Sequence, residues 1–150
     1  MIKMNLDNSR HPEQTRKMQE LKKNNECHFC KNGFKLTHSS PIIHSNKYWF
    51  ITANDFPYQG AEHHYLIVSK KHIKDTEEIS DKSGLDFFKS IKWLKNKLKV
   101  KGYSVFIRSG DMAYTGATLD HLHFHFLVGK KKTKKMNQEN RLLVTLGHKK

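Results

Sequence analysis

The run His121-Leu122-His123-Phe124-His125-Phe126-Leu127 constrains this chain more than any other segment, because it sets three imidazoles two residues apart in an apolar, aromatic context. In an extended strand successive side chains point to opposite faces, so the histidines share one face while Leu122, Phe124 and Phe126 share the other. One face packs and the other does chemistry. Imidazole titrates nearest to neutrality of all side chains, and its nitrogens can attack phosphorus, pass a proton or bind a metal. Three residues at this spacing span roughly 13 Å along a strand, whereas a zinc–imidazole bond is only about 2 Å. At most two can readily share one metal, and at least one is left for another role. A neutral imidazole attacking a phosphoanhydride forms a covalent phosphoramidate, which divides one difficult displacement into two easier ones, and a neighbouring histidine can protonate the leaving group.

With 150 residues the chain fits one domain with a real hydrophobic core. No apolar stretch approaches bilayer length, and Met1-Ile2-Lys3-Met4-Asn5 leads into polar residues, not into a signal-peptide core. A cytoplasmic protein with no membrane partner is expected. The formal charge of +14, from 28 basic against 14 acidic residues, predicts attraction to polyanions without choosing among nucleotides, nucleic acids and acidic surfaces. The run Lys130-Lys131-Lys132-Thr133-Lys134-Lys135 reads as a solvated loop, with nucleic-acid contact as the alternative. Cys27 and Cys30 are the only cysteines, and they sit too close for a disulfide framework. The pair supplies half of a tetrahedral zinc site, and with eleven histidines present the remaining ligands need not be cysteine. A thioredoxin-like role is disfavoured because the pair is not read as opening a helix within a βαβ unit. A reduced, unliganded pair is the remaining option.

Pro12 opens a short helix that ends at Asn24-Asn25, with Met18 and Leu21 as its apolar stripe. Asn32-Gly33 is read as a turn after the cysteine knuckle. Ile42-Ile43 and Tyr48-Trp49-Phe50-Ile51 form a hairpin around His44-Ser45-Asn46-Lys47, and Tyr65-Leu66-Ile67-Val68 reads as a buried strand. Between Asp81 and Leu98 the apolar residues Leu85, Phe88, Ile91, Leu94 and Leu98 recur at three and four, which predicts one long amphipathic helix closed by Gly102. A strand follows from Tyr103 to Ile107, then a glycine-bearing loop from Ser109 to Gly116, the histidine strand, and a last strand through Leu142, Leu143, Val144 and Leu146. The order predicts an α+β domain on a largely antiparallel sheet. Residues 1–26 form an extension, 27–128 the domain, and 129–150 a basic loop with the final strand.

These residues resemble the histidine triad (HIT) family. Its signature, His-φ-His-φ-His-φ-φ, is met from His121 to Leu127. A second block, His64-Tyr65-Leu66-Ile67-Val68-Ser69-Lys70-Lys71-His72, resembles the family's strand and Pro-Lys-Lys-His turn, with Ser69 where proline is usual. Phe56-Pro57-Tyr58-Gln59-Gly60 resembles the loop before it. The resemblance implies a HIT-like fold and a nucleotidyl hydrolase or transferase acting on a nucleoside phosphoanhydride or phosphoramidate, such as a dinucleoside polyphosphate. His123 is the implied nucleophile, its tautomer fixed by the backbone carbonyl of His121, and His125 contacts the phosphate and leaving group. His64 matches a histidine beside the triad. Thr118 is an implied phosphate contact, and Phe50, Ile51 and Asn54 are implied to line the sugar and base. A structural zinc is implied on Cys27, Cys30, His72 and His121. A homodimer is implied, and one branch of the family acts on adenylated DNA ends. The alternative is a zinc-stabilised nucleotide- or nucleic-acid-binding protein without turnover.

The chain departs from the family pattern in two places. Gly116-Ala117-Thr118 stands where Gly-Gln-Ser is common, which loses an amide that positions the attacking water, and Arg108 stands where Asn is expected. Loss of a water-positioning group costs hydrolysis more than transfer to another acceptor.

Overall fold

The computed structural model describes residues 2–147. Five strands form one antiparallel sheet: β1 (Ile42–Ser45), β2 (Trp49–Ala53), β3 (His63–Ser69), β4 (Ser104–Ile107) and β5 (His123–Val128), in the order β1-β2-β3-β5-β4. Among the described residues four α-helices accompany them: α1 (Pro12–Lys23), α2 (Lys31–Thr37), α3 (Asp81–Leu98) and the single turn α4 (Met112–Thr115). The fold is the α+β arrangement the sequence predicts.

Register decides which residues share a face. Leu66 of β3 pairs with His125 and Val68 with His123, so the His123 and His125 imidazoles lie on one side of the sheet with Leu66, Val68 and Phe50. The other side carries Trp49, Ile51, Ile67 and Phe126, which pack with Phe87, Ile91 and Leu94 of α3 into the main core. Ser80 caps α3 by accepting the Ser83 N–H, and Trp49 Nε1–H donates to the Ser83 carbonyl at 2.8 Å, which ties hairpin and helix together. Asn46 does the same at the hairpin turn: its oxygen accepts the Tyr48 and Trp49 N–H groups while its amide donates to Ser90 Oγ. Met18 and Leu21 of α1 are buried with Met4 in a separate small cluster.

Several expectations are corrected. Leu85 and Phe88 are exposed, because the buried line on α3 runs through Phe87, Ile91 and Leu94 and leaves them on its flank. α3 ends at Leu98 with Lys99 in the left-handed conformation at φ 54°, ahead of Gly102. Asn32-Gly33 is not a turn: both residues lie inside α2, whose N-cap is Cys30, so the pair does precede a helix, though one that leads into an antiparallel hairpin. A Cβ on Gly33 would sit 2.0 Å from the carbonyl oxygen of Cys27, so close approach, not chain reversal, selects this glycine. Leu142 to Leu146 form no strand. That segment runs past the loop carrying α4, where the Thr145 carbonyl accepts from Arg108 and the Gly147 N–H donates to the Thr115 carbonyl. The final three residues of the 129–150 segment lie outside the described residues.

Candidate active site and metal centre

β5 begins at His123, so His121 sits on the turn into the strand and its ring points away from the other two imidazoles. His123 Nδ1–H donates to the His121 carbonyl at 2.6 Å, which fixes the tautomer and leaves Nε2 with a free lone pair. Burial holds His123 down at about 4 and His125 well below its ordinary value, so both rings are neutral at pH 7. Phe106 of β4 stacks flat on His125, with ring centres 4.4 Å apart.

Behind His125 lies His64, almost fully buried, with its Nε2 2.9 Å from His125 Nδ1. The Tyr58 backbone N–H donates to His64 Nδ1 at 3.1 Å. That donor cannot rotate, so Nδ1 of His64 accepts and Nε2 carries the proton, which it offers to His125 Nδ1. His125 therefore presents an Nε2–H outward. Asn54 rests its amide against the His64 ring edge, 3.1 Å from Nε2, while its oxygen is held by the Phe56 N–H.

A cavity of about 320 Å³ opens on this face. His123, His125, Thr118 and Asn54 line it, as do Arg10 and Arg108. His64 stands behind the wall. Phe50 packs edge-on against Phe34 beneath the cavity and does not line it. Ile51 is a correction: it is 0% exposed on the opposite side of the sheet, because it alternates with Phe50 and falls into the core under α3.

The sequence reading missed Arg10, Tyr58 and the pair His28 and His38. His28 shares the knuckle with the cysteines, and its Nε2 meets His38 Nδ1 at 3.2 Å on the cavity wall. Burial lowers His28 to about 3, which leaves it a neutral polar surface. The N-terminal extension contributes through Arg10, whose guanidinium lies 3.8 Å over the Tyr58 ring. Nothing local in the sequence ties Arg10 to a site so distant along the chain.

The second cluster adjoins the first. Cys27 Sγ lies 3.2 Å from His121 Nδ1, Cys30 Sγ lies 3.4 Å from His72 Nδ1 and 3.7 Å from His121 Nδ1, and all four donor atoms fall within 4.8 Å of one another. Zinc bonds of about 2.3 Å to sulfur and 2.0–2.1 Å to nitrogen imply a tetrahedral S···N edge of about 3.5 Å, so the four atoms fit such an ion. The opposite ring nitrogens are spoken for. His121 Nε2–H donates to the Ser69 carbonyl at 2.7 Å, and His72 Nε2 faces the buried Asp120 carboxylate at 3.5 Å, which Lys74 also contacts. Asp120 Oδ1 makes no hydrogen bond at all, and burial pushes the Cys27 thiol well up. A cation held by these four residues would relieve both, since Cys27 would bind it as a thiolate and the neutral His72 ring, ligating through Nδ1, would turn a polarised Nε2–H toward the carboxylate.

Residues 35–132, more than half of the chain, match the HIT domain, and the chain belongs to the HIT family. Cys27 and Cys30 precede the matched segment. Among solved structures, the chain is similar to a HIT family hydrolase from Clostridium thermocellum, at 29% identity over 74% of this chain and 96% of that one, with a TM-score of 0.57. It is also similar to a histidine triad protein from Clostridium difficile, at 25% identity over 73% and 96% of the two chains, with a TM-score of 0.56. A zinc-bound histidine triad family protein from Mycobacterium smegmatis shares the fold at 18% identity, covering 75% of this chain and 80% of that one, with a TM-score of 0.54. No helix among the described residues is long and apolar enough to cross a membrane.

Proposed function

We propose that the protein is a nucleotidyl hydrolase or transferase that works through a covalent nucleotidyl-histidine at His123. The observation that carries this reading is the 2.6 Å bond from His123 Nδ1–H to the His121 carbonyl, which leaves Nε2 as a neutral nucleophile on the wall of a nucleotide-sized cavity. The Nε2 lone pair forms a bond to the α-phosphorus as the bond to the leaving group breaks, and the electron pair departs on the leaving atom. Water or another acceptor oxygen then attacks the phosphorus, loses its proton to solvent, and returns the electron pair to Nε2. Thr118 and the Nε2–H of His125 contact the phosphoryl oxygens, and Asn54 faces the sugar. Ala117 offers no amide to hold the attacking water, which supports transfer to a second acceptor beside hydrolysis.

Zinc held by Cys27, Cys30, His72 and His121 supplies structure, since all four positions are protein ligands and none is left open to substrate. Similar proteins support this reading: one is named a HIT family hydrolase, and a zinc-bound one shares the fold. The exposed lysine run from Lys130 to Lys135 stands apart from the cavity, so a small nucleotide substrate needs no contact with it.

Incubation with a dinucleoside polyphosphate tests the proposal. The wild-type protein releases mononucleotide, and His123→Ala loses turnover by more than about 10³-fold while keeping nucleotide binding, because the substitution removes a transition-state bond and not the pocket. Binding without turnover in the wild type would leave the zinc-stabilised binding protein as the answer.

A further inference from the structure

We propose that Arg108, with Arg10 beside it, forms a subsite for an anionic leaving group, so that phosphoanhydrides are preferred to phosphoramidates; this rests on nucleotidyl transfer at His123. The starting point is a proton count. Tyr58 N–H, His64, His125 and Arg108 make a line of three contacts at 3.1, 2.9 and 3.3 Å. Both ends of the line are donors, and each neutral imidazole between them carries one proton. Satisfying the first two contacts puts Nε2–H of His125 against Nη1–H of Arg108. Two donors facing one another need an acceptor between or beside them, and an anionic oxygen takes both.

Arg108 is built for such a guest. Its Nη2 donates to the Tyr58 hydroxyl at 2.9 Å and to the Thr145 carbonyl at 2.8 Å, while its Nε is enclosed with no partner. Among the described residues no carboxylate lies within ion-pair distance of Arg108 or Arg10. The acids on the cavity wall do not compensate them. Asp55 is engaged by the Ser39 and Ser40 N–H groups, and Asp7 is exposed. Tyr58 joins the two cations, its hydroxyl under Arg108 and its ring under Arg10. A partly enclosed cation with no counter-charge is costly, and a ligand anion removes the cost.

The same proton arrangement sorts leaving groups. His125 Nδ1 already accepts from His64, so giving up Nε2–H would leave an imidazolate. His125 can donate a hydrogen bond, but it is a poor source of a whole proton. When the P–O bond of an anhydride breaks, the electron pair goes to the bridging oxygen, and the leaving phosphate departs as a stable anion with Arg108 and Arg10 against it. When the P–N bond of a phosphoramidate breaks, the departing nitrogen needs a proton that this residue does not provide.

The test compares kcat/KM for a dinucleoside triphosphate and for the 5′-phosphoramidate of the same nucleoside, in wild type, Arg108→Asn, Arg108→Lys and Arg10→Gln. The wild type favours the anhydride. Arg108→Asn lowers the anhydride-to-phosphoramidate ratio by about 10- to 100-fold, the worth of one or two charge-assisted hydrogen bonds. Arg108→Lys retains part of the preference, and Arg10→Gln lowers it by less. Inorganic pyrophosphate inhibits the wild type competitively and Arg108→Asn at least about ten times more weakly. Equal losses on both substrates overturn the leaving-group subsite and leave nucleotidyl transfer standing, whereas no turnover of either substrate by the wild type overturns both. If Arg108→Asn does not fold, a wild-type preference for the phosphoramidate, or an unchanged ratio in Arg10→Gln and Arg108→Lys, overturns the subsite.

Discussion

The backbone carbonyl of His121 accepts the Nδ1–H of His123 at 2.6 Å while the His121 ring belongs to the Cys27, Cys30 and His72 cluster. In the proposed reading this one residue serves both centres, holding the metal with its side chain and setting the tautomer of the nucleophile with its main chain. Protein purified without added metal is expected to hold one zinc per chain. Removing it with chelator should lower Tm by more than about 10 °C, since losing a structural ion costs several kcal/mol and each kcal/mol is worth about 2–4 °C at this size. Absent metal and unchanged melting in chelator would return the His121 ring to other uses.

Gly33 gives a second handle on the knuckle. Gly33→Ala places a Cβ against the Cys27 carbonyl, a backbone atom that cannot swing aside. A loss of about 1–3 kcal/mol, the usual cost of overpacking, is expected in denaturant unfolding, together with a lower zinc content. An alanine variant as stable and as metal-replete as wild type would contradict the close approach.

His64 predicts how stability responds to acid. Burial lowers its folded value to about 3, and the neighbouring Arg10, His123 and Arg108 charges act in the same direction. The unfolded chain takes up a proton near pH 6.5, an ordinary histidine value, and the folded one does not. Stability from this group is therefore complete above about pH 6.5 and declines as pH falls toward 3. In His64→Asn, whose oxygen can accept the Tyr58 N–H, the slope of Tm against pH between 6.5 and 4 should be shallower. Parallel slopes would show that His64 does not stay neutral in the fold.

Much of this was legible beforehand, for physical reasons specific to each element. The alternation from His121 to Phe126 needs only strand geometry, and α3 carries a long apolar period, so both are legible from the sequence. The side of the sheet on which Ile51 falls is not legible, because Trp49, Phe50, Ile51 and Thr52 are all buried: a strand covered on both faces carries no parity signal, and only pairing register separates its sides. Asn32-Gly33 reads as a turn in sequence because a glycine selected by close packing looks the same as one selected for chain reversal. Arg10 and the tail around Thr145 reach the cavity through tertiary contacts with Tyr58 and Arg108, which no local pattern encodes.

The lysine run separates charge from chemistry. Lys131, Lys132, Lys134 and Lys135 are exposed and lie off the cavity wall. Changing all four to Gln should leave small-nucleotide kcat/KM within about twofold, as for surface positions remote from a site. If the run serves nucleic acid, polynucleotide affinity falls with a shallower salt dependence. A large loss of small-nucleotide turnover would mean that the tail helps to form the site.

The most direct test of the central claim is the intact mass of the protein quenched during turnover of a dinucleoside polyphosphate, followed by peptide mapping under alkaline conditions that preserve a phosphoramidate. The account predicts an acid-labile increment of one nucleotidyl group on His123, absent from His123→Ala and present in His125→Ala at reduced yield. An adduct on any other residue, or rapid turnover with no adduct in His123→Ala, would contradict it.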